Sequence, residues 1–322
     1  MKNNNQLKGI VAAIGLTSVV FMSSCNAQNS VSKNGFDLSN SSISIDKILS
    51  GGPGKDGIPA IDNPIFVTQE KADFIKDTDR VLALELNGVS KAYPINILNW
   101  HEIVNDTIGE QNFAVTYCPL CGTGAVFSAD IKGKHSRFGV SGLLYNSDVL
   151  LYDNNTESLF SQILSKAVSG PLVGEKLKAL VSTHTTWGAW KVLHPDTLVL
   201  STATGYVRDY TRNPYGDYGS SRVLYFPAPS LSKDADTFHP KETVIGLVDG
   251  ERIKAYPFSE LDKNNKSEFV DLINGKAYTV IWDGEAKSAQ IKDKTGELIP
   301  TIQGFYFAWM AFYPQSKIYI SK

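Results

Sequence analysis

One fourteen-residue pattern occurs twice in this 322-residue chain and constrains its fold more than any other feature. Val81–Pro94 and Val244–Pro257 both begin with valine and both end in Lys-Ala-Tyr-Pro. The first copy contains Asn87-Gly88, the dipeptide that favours the tight turn of a two-residue β-hairpin. The repetition predicts a β-rich fold with two related halves, each built on a hairpin.

The remaining segments indicate an α+β class with few helices. The likeness between the copies continues weakly in a later core strand, from Phe113–Tyr117 to Tyr278–Trp282. Ser and Thr residues that can cap helices precede short apolar segments, so we expect short helices near 156–168 and 184–194. The length suits a single large domain, and two separable domains are the alternative.

The N-terminus predicts export and a lipid anchor. An apolar stretch follows Lys2 and Lys8, and Met22-Ser-Ser-Cys25 resembles a bacterial lipobox. The stretch is too short to span a bilayer as a stable helix. Residues 1–25 are therefore predicted to be a lipoprotein signal peptide that ends at a lipidated Cys25. An ordinary secretory signal with an incidental cysteine is the alternative.

The rest of the chain then divides into a tether and a domain. Residues 26–45 are rich in Ser and Asn and predict a flexible tether, and residues 46–322 form the domain. We expect a protein in the bacterial cell envelope, extracytoplasmic, whose membrane partner is reached through the lipid on Cys25. The net charge is −2 and no basic block occurs, so the sequence does not favour a nucleic-acid partner.

The segment Cys118-Pro-Leu-Cys121-Gly122 is the strongest candidate site. It follows a short apolar run, and its Pro and Gly residues predict a tight turn after a buried strand. Two thiolates on such a turn can share a soft metal ion, zinc or copper. With no further cysteine to complete the site, the other ligands would be histidine or carboxylate, and His101 and Glu102 are the first candidates.

Two other uses of these cysteines stay open. Cys118 and Cys121 have the spacing of a thiol–disulfide redox pair, or they close a small structural disulfide. A thioredoxin-type site needs a long helix after the second cysteine, but the residues that follow predict a turn and a strand. Gly122 stands where haem attachment requires histidine, so haem is excluded, and no nucleotide-binding signature occurs.

The second copy lacks the reactive side chains of the first. It has Asp-Lys-Asn-Asn at 262–265 and Asp-Gly-Glu-Ala at 283–286 in place of Trp-His-Glu and the cysteine turn. This difference favours a function for the cysteines over a purely structural role. His184, at the mouth of the predicted helix, is a further candidate metal ligand. The segment 206–218, with four tyrosines, either lines a polar pocket or covers the sheet.

Several motifs in one order resemble the bacterial and archaeal DUF3179 family. They include Gly-Gly-Pro-Gly-Lys-Asp-Gly-Ile-Pro at 51–59, Asn-Trp-His-Glu-Ile-Val-Asn-Asp at 99–106 and Thr-Tyr-Cys-Pro-Leu-Cys-Gly at 116–122. The likeness covers roughly residues 45–314 and implies no settled activity. The leading hypothesis is therefore an extracytoplasmic lipoprotein with a Cys/His zinc or copper site, used in binding or in redox or hydrolytic chemistry. The alternatives are a thiol–disulfide oxidoreductase or redox sensor, and a non-catalytic binding protein with a structural disulfide.

Overall fold

Both hairpins expected from the repeated pattern are present. The protein is described by a computed structural model that covers residues 1, 31–229 and 237–322. The first strands are β1 (Ser32–Lys33), β2 (Phe36–Asp37), β3 (Ile48–Ser50), β4 (Phe66–Thr68), β5 (Arg80–Leu86), β6 (Val89–Pro94), β7 (Ile103–Ile108), β8 (Gln111–Cys118) and β9 (Thr123–Ser128). The middle strands are β10 (Asp130–Ile131), β11 (Lys134–His135), β12 (Phe138–Tyr145), β13 (Asp148–Asp153), β14 (Leu159–Ser161), β15 (Lys166–Ser169), β16 (Ala179–Leu180), β17 (Thr183–Thr186) and β18 (Leu198–Leu200).

The last strands are β19 (Thr243–Asp249), β20 (Arg252–Pro257), β21 (Glu268–Ile273), β22 (Lys276–Asp283), β23 (Ser288–Lys292), β24 (Ile302–Phe305) and β25 (Lys317–Ile318). In the described part of the chain, four short α-helices accompany them: α1 (Ile95–His101), α2 (Trp187–Leu193), α3 (Phe258–Asn264) and α4 (Tyr306–Phe312). Two single-turn 3-10 helices span Ile45–Lys47 and Gln69–Lys71. Within the described ranges, no helix has the length and apolar character needed to cross a bilayer.

An eight-stranded sheet runs through the middle of the fold. Its order is β25-β20-β19-β24-β9-β8-β7, and β16 pairs with β9. One five-stranded sheet has the order β17-β5-β6-β18-β4, a second has the order β15-β14-β13-β12-β3, and β21-β22-β23 forms a smaller sheet. Val31–Lys322 is one compact unit, so the predicted β-rich α+β fold with a single large domain is confirmed.

The two hairpins each begin a series of elements with equal lengths. β5, β6, α1, β7 and β8 have 7, 6, 7, 6 and 8 residues, and so do β19, β20, α3, β21 and β22. A lysine and a tyrosine of each hairpin hydrogen-bond to one aspartate of the later strand: Lys91 and Tyr93 to Asp106, and Lys254 and Tyr256 to Asp271. The last two strands of the two series belong to different sheets. β7 and β8 are part of the eight-stranded sheet, whereas β21 and β22 are part of the three-stranded sheet.

One of the two predicted helices is wrong. Residues 156–168 contain β14 and the start of β15, and β14 pairs with β13 on one side and β15 on the other. Leu159 and Phe160 are both buried, so strand pairing and burial outweigh the local capping signals. The other predicted helix is confirmed as α2, whose N-cap Thr186 accepts a hydrogen bond from the Ala189 backbone N–H at 3.3 Å.

The domain also begins earlier than expected. The predicted signal peptide 1–25, the lipidation site Cys25 and the first part of the tether lie outside the residues the structure describes. Residues 31–45 form the β1–β2 ribbon and its extension, with Phe36 and Leu38 buried against the strands around Leu150. The flexible tether predicted for 26–45 is therefore wrong for residues 31–45, since two large apolar side chains hold that segment on the domain.

Candidate metal centre

The cysteine turn joins the end of β8 to the start of β9 in the eight-stranded sheet. The Cys121 backbone N–H donates to the Cys118 carbonyl at 3.2 Å, and the Phe305 N–H donates to the Cys121 carbonyl at 2.7 Å. Gly122 has φ +59°, and a Cβ atom there would lie 2.9 Å from the Phe305 ring. Only glycine satisfies both the backbone conformation and the space, so the turn holds its two cysteines in fixed positions.

A carboxylate completes a group of three potential metal ligands. One ligand atom each from Cys118, Cys121 and Asp148 lies within 4.8 Å of the others, and all three residues are buried. Both cysteines are free thiols. Asp148 Oδ2 accepts the Ile163 backbone N–H at 3.1 Å, whereas Oδ1 is buried without a hydrogen-bond partner in the described part of the chain. The site therefore offers an unused oxygen next to two sulfurs.

Burial keeps these three groups neutral when no cation is near. It raises the pKa of the Cys118 thiol, raises the pKa of the Cys121 thiol well above its ordinary value, and raises the pKa of Asp148 to about 8. A metal ion binds the deprotonated forms and would supply the missing positive charge. Two sulfurs with a carboxylate suit zinc or copper better than a hard ion such as magnesium.

His101 is not part of this group of ligands, because both of its ring nitrogens are bonded elsewhere. Nδ1 lies 2.8 Å from the Pro59 carbonyl and Nε2 lies 2.7 Å from the Tyr210 hydroxyl. A carbonyl oxygen only accepts, so Nδ1 carries the proton and Nε2 accepts from Tyr210. Burial lowers the pKa of His101, which agrees with a neutral ring. In the structure this histidine connects α1 to the loop that contains Tyr210.

Glu102 lies near the cysteines but outside the group within 4.8 Å. It is the C-cap of α1, at φ +58° and ψ −30°, and its Oε1 accepts a hydrogen bond from the Tyr215 hydroxyl at 3.1 Å. Burial raises the pKa of Glu102 to about 7, against the lowering effect of that hydrogen bond. The negative charge of Glu102 in turn helps to raise the pKa of Cys118 and of Asp148.

His184 is likewise outside the group of ligands. It lies in β17 and not at the mouth of α2, and its Nε2 is buried without a hydrogen-bond partner among the described residues. A Cβ atom on Gly124 would come within 2.2 Å of that nitrogen, so the ring packs directly on the backbone of β9. Burial, with a smaller contribution from the charge of Arg80, lowers the pKa of His184 to about 3. The imidazole is therefore neutral.

The tyrosine-rich segment 206–218 covers α1 and the cysteine turn. Tyr210 of this segment bonds to His101, and Tyr215 bonds to Glu102. In addition, the Arg212 carbonyl accepts a hydrogen bond from Trp100 Nε1 at 3.1 Å. Further along, Ser147 Oγ donates to the Phe226 carbonyl at 2.9 Å, one residue before Asp148. Segment 206–218 thus contacts α1 and its C-cap, two of its tyrosines bond to functional candidates, and the chain that follows it bonds at Phe226 to the residue before Asp148.

Asp148 is the potential metal ligand that the sequence analysis missed. It begins β13 directly after a turn in which Asn146 and Ser147 have φ +51° and +69°. Every residue of β13 is buried. A carboxylate at the head of such an apolar strand is costly unless a partner is present, and this is the signal that could have identified it.

A family-model comparison identifies the chain, while two wider comparisons find no relatives. Neither the curated proteins nor the solved structures include a match to this chain. The model of DUF3179, described as a protein of unknown function, matches residues 55–297. The matched region includes α1, the cysteine turn, Asp148 and the tyrosine-rich segment, and it extends over most of the compact unit. The chain therefore belongs to the DUF3179 family.

Proposed function

We propose that this protein binds a zinc or copper ion through Cys118, Cys121 and Asp148. The observation that carries the proposal is the combination of two buried free thiols with a buried carboxylate oxygen that has no hydrogen-bond partner in the described residues. Without metal, Cys118 Sγ donates to the Ser147 carbonyl at 3.8 Å. An unpaired polar atom such as Asp148 Oδ1 is costly in a protein interior, and a bound cation would satisfy it together with both sulfurs. The ion would serve in binding or in redox or hydrolytic chemistry.

Elemental analysis of the purified, tag-free protein tests this proposal. After expression with zinc and copper available, we expect close to one equivalent of one of these metals. Cys118→Ser, Cys121→Ser and Asp148→Asn should each lose most of it, while Asp130→Asn, at an exposed position on β10, should retain it. A folded protein that carries neither metal would contradict the proposal.

The alternative of a thiol–disulfide exchange site is less well supported. Attack on a disulfide requires a thiolate, and burial raises the pKa of both thiols. Thiol titration of the metal-free protein separates the alternatives. Two titratable thiols support the metal site. A disulfide with a potential near that of thioredoxin, about −270 mV, supports the redox pair, and one below about −300 mV supports a structural disulfide.

We also propose that the mature protein is a lipoprotein of the bacterial cell envelope, extracytoplasmic and anchored by lipid on Cys25. The support is the sequence around Met22-Ser-Ser-Cys25. Cell fractionation tests it: the native protein should sediment with membranes and Cys25→Ala should not. If Cys25→Ala still fractionates with membranes, the anchor is elsewhere.

A further inference from the structure

An apolar cavity of about 360 Å³ lies beside the candidate metal centre. Leu120, between the two cysteines, and Val149, next to Asp148, both form part of its wall. Most of the remaining wall is apolar and comes from Pro53, Ile58, Val140, Leu143, Leu144 and Phe226. The cavity and the metal ligands therefore share the same two segments of chain.

Among the described residues, three bring polar side chains to this wall: Glu102, Tyr215 and Tyr225. Glu102 and Tyr215 line the cavity and are hydrogen-bonded to each other at 3.1 Å. Pockets that bind small molecules commonly combine an apolar wall with a few polar groups that orient the ligand. The carboxylate of Glu102 and the oxygen of Tyr215 both accept hydrogen bonds, so they would recognise a donor.

A buried glutamate at position 102 is energetically costly. The corresponding position in the second series of elements, β19 to β22, does not carry this cost. Glu102 is the C-cap of α1 at φ +58°, where glycine or asparagine is usual, and its side chain is buried. At the matching position of α3 the C-cap is Asn265, at φ +51°. Asn265 lies in the left-handed helical region, which asparagine tolerates, whereas Glu102 at ψ −30° lies outside that region, and an asparagine carries no charge that must be desolvated. A buried carboxyl in a strained conformation points to a function at this position.

We propose that the cavity binds a small, mainly apolar molecule with one hydrogen-bond-donating head group, an amine or a hydroxyl. The head group bonds to Glu102 and Tyr215, and the apolar body packs against Leu120 and Val149. A volume of 360 Å³ equals that of about twelve water molecules at about 30 Å³ each, which admits a single ring or a short branched chain. This inference rests on the proposed function only in that a zinc or copper ion is bound beside the cavity.

Titration calorimetry with benzylamine, benzyl alcohol and toluene tests the proposal on the purified full-length protein. The amine and the alcohol should bind, and toluene, which lacks a donor, should bind about tenfold more weakly or not at all. Glu102→Gln should weaken benzylamine binding by about tenfold. The control Glu110→Gln, on the exposed β7–β8 turn, should leave it unchanged. Leu144→Phe, which fills part of the cavity, should weaken both donor probes.

Circular dichroism melting of each variant shows whether it is folded. Equal binding of toluene and benzylamine, unchanged benzylamine binding by Glu102→Gln, or no probe binding by the folded native protein would each overturn the inference. Metal content measured in the same samples separates this result from the proposed function. Binding of the donor probes without metal contradicts the metal proposal alone, whereas metal without probe binding contradicts the cavity assignment alone.

Discussion

The hydroxyl of Tyr210 donates to Nε2 of His101 across 2.7 Å, and the same hydroxyl also contacts Thr204 Oγ1 at 2.5 Å. Because Tyr210 uses its one proton on His101, the hydroxyl of Thr204 is the donor in the second bond. The chain of bonds ends at the Pro59 carbonyl, 2.8 Å from Nδ1. A side chain that resembled a metal ligand thus holds the tyrosine-rich segment over α1.

Tyr210→Phe should therefore destabilise the protein. It leaves Nε2 of the buried His101 without its donor, which costs about 1–3 kcal/mol of unfolding free energy. Denaturant unfolding measures the loss. The control Tyr206→Phe removes a hydroxyl but keeps the ring that lies 5.2 Å from His101, and it should change stability little. Equal stability of the two variants would show that the bond to His101 contributes nothing.

The metal-free protein should lose stability as the pH rises from 5 to 8. Glu102 has an ordinary pKa near 4.5 and a folded-state pKa of about 7, so between these values the folded protein holds a proton that the unfolded chain has released. Its contribution is present below pH 4.5 and is lost as the pH rises through 7. The loss is up to about 3 kcal/mol, since one pKa unit corresponds to about 1.4 kcal/mol.

Denaturant unfolding with chelator present, at pH 5, 6, 7 and 8, measures this dependence. Asp148 acts in the same direction because burial also raises its pKa. Glu102→Gln removes the contribution of Glu102 and should make the decline of the unfolding free energy with pH less steep. Glu110→Gln should leave the decline unchanged. The buried His184, whose pKa is lowered to about 3, acts in the opposite direction below its ordinary pKa of 6.5, so a stability that increases between pH 6.5 and pH 8 would contradict both assignments.

The two Lys–Asp pairs of the equal-length series should differ in strength. The side chains of Lys91 and Asp106 are 9% and 7% exposed, while those of Lys254 and Asp271 are 13% and 17% exposed. Asp106→Asn should cost about 3–5 kcal/mol, the usual effect of leaving one buried charge unpaired, and Asp271→Asn should cost less. Asp262→Asn, in an exposed pair with Lys287, should cost at most about 1 kcal/mol.

Thermal or denaturant unfolding of the three variants gives their order directly. The expected order follows burial alone, because each substitution removes one carboxylate and keeps the side-chain size. If Asp271→Asn were the most damaging of the three, burial would not determine the strength of these pairs.

Gly124→Ala should destabilise the junction between β9 and β17. The new Cβ atom would lie 2.2 Å from His184 Nε2, and overpacking of this kind costs about 1–3 kcal/mol. Gly54→Ala is the matched control, since nothing lies within 4 Å of its Cβ position. Thermal unfolding of both variants measures the difference. Equal melting temperatures would mean that His184 moves aside freely.

Local signals in the sequence predicted the elements that depend on local chemistry. The first hairpin, the cysteine turn and the capped helix α2 follow from the Asn-Gly dipeptide, from Pro119 and Gly122, and from Thr186, all of which act within a few residues, and the second hairpin follows from its likeness to the first. The strand β14 was missed because its pairing with β13 and β15 decides its conformation. The tether was misjudged because Phe36 and Leu38, two apolar residues in a polar segment, find a core that the sequence does not display.

The residues of the candidate site likewise fall into those that local sequence signals predict and those that they do not. Cys118 and Cys121 were predicted together, since a single turn holds both. Histidine appeared to be the natural third ligand, but the partners of His101 are Pro59 and Tyr210, far from it in sequence. Asp148 lies beside the cysteines because the fold brings the start of β13 to the cysteine turn, and the spacing of these residues along the chain does not predict that approach.

The cysteine turn is complete only once the Phe305 N–H has bonded to the Cys121 carbonyl. Phe305 lies 184 residues after Cys121, so the strand that closes the turn is synthesised well after the cysteines. Contacts between such distant parts of a chain form slowly. The thiols are therefore open to oxidants while the chain is still folding. In an oxidising compartment, premature disulfide formation would compete with folding in this interval, and an ion captured early would protect both sulfurs until β24 is in place.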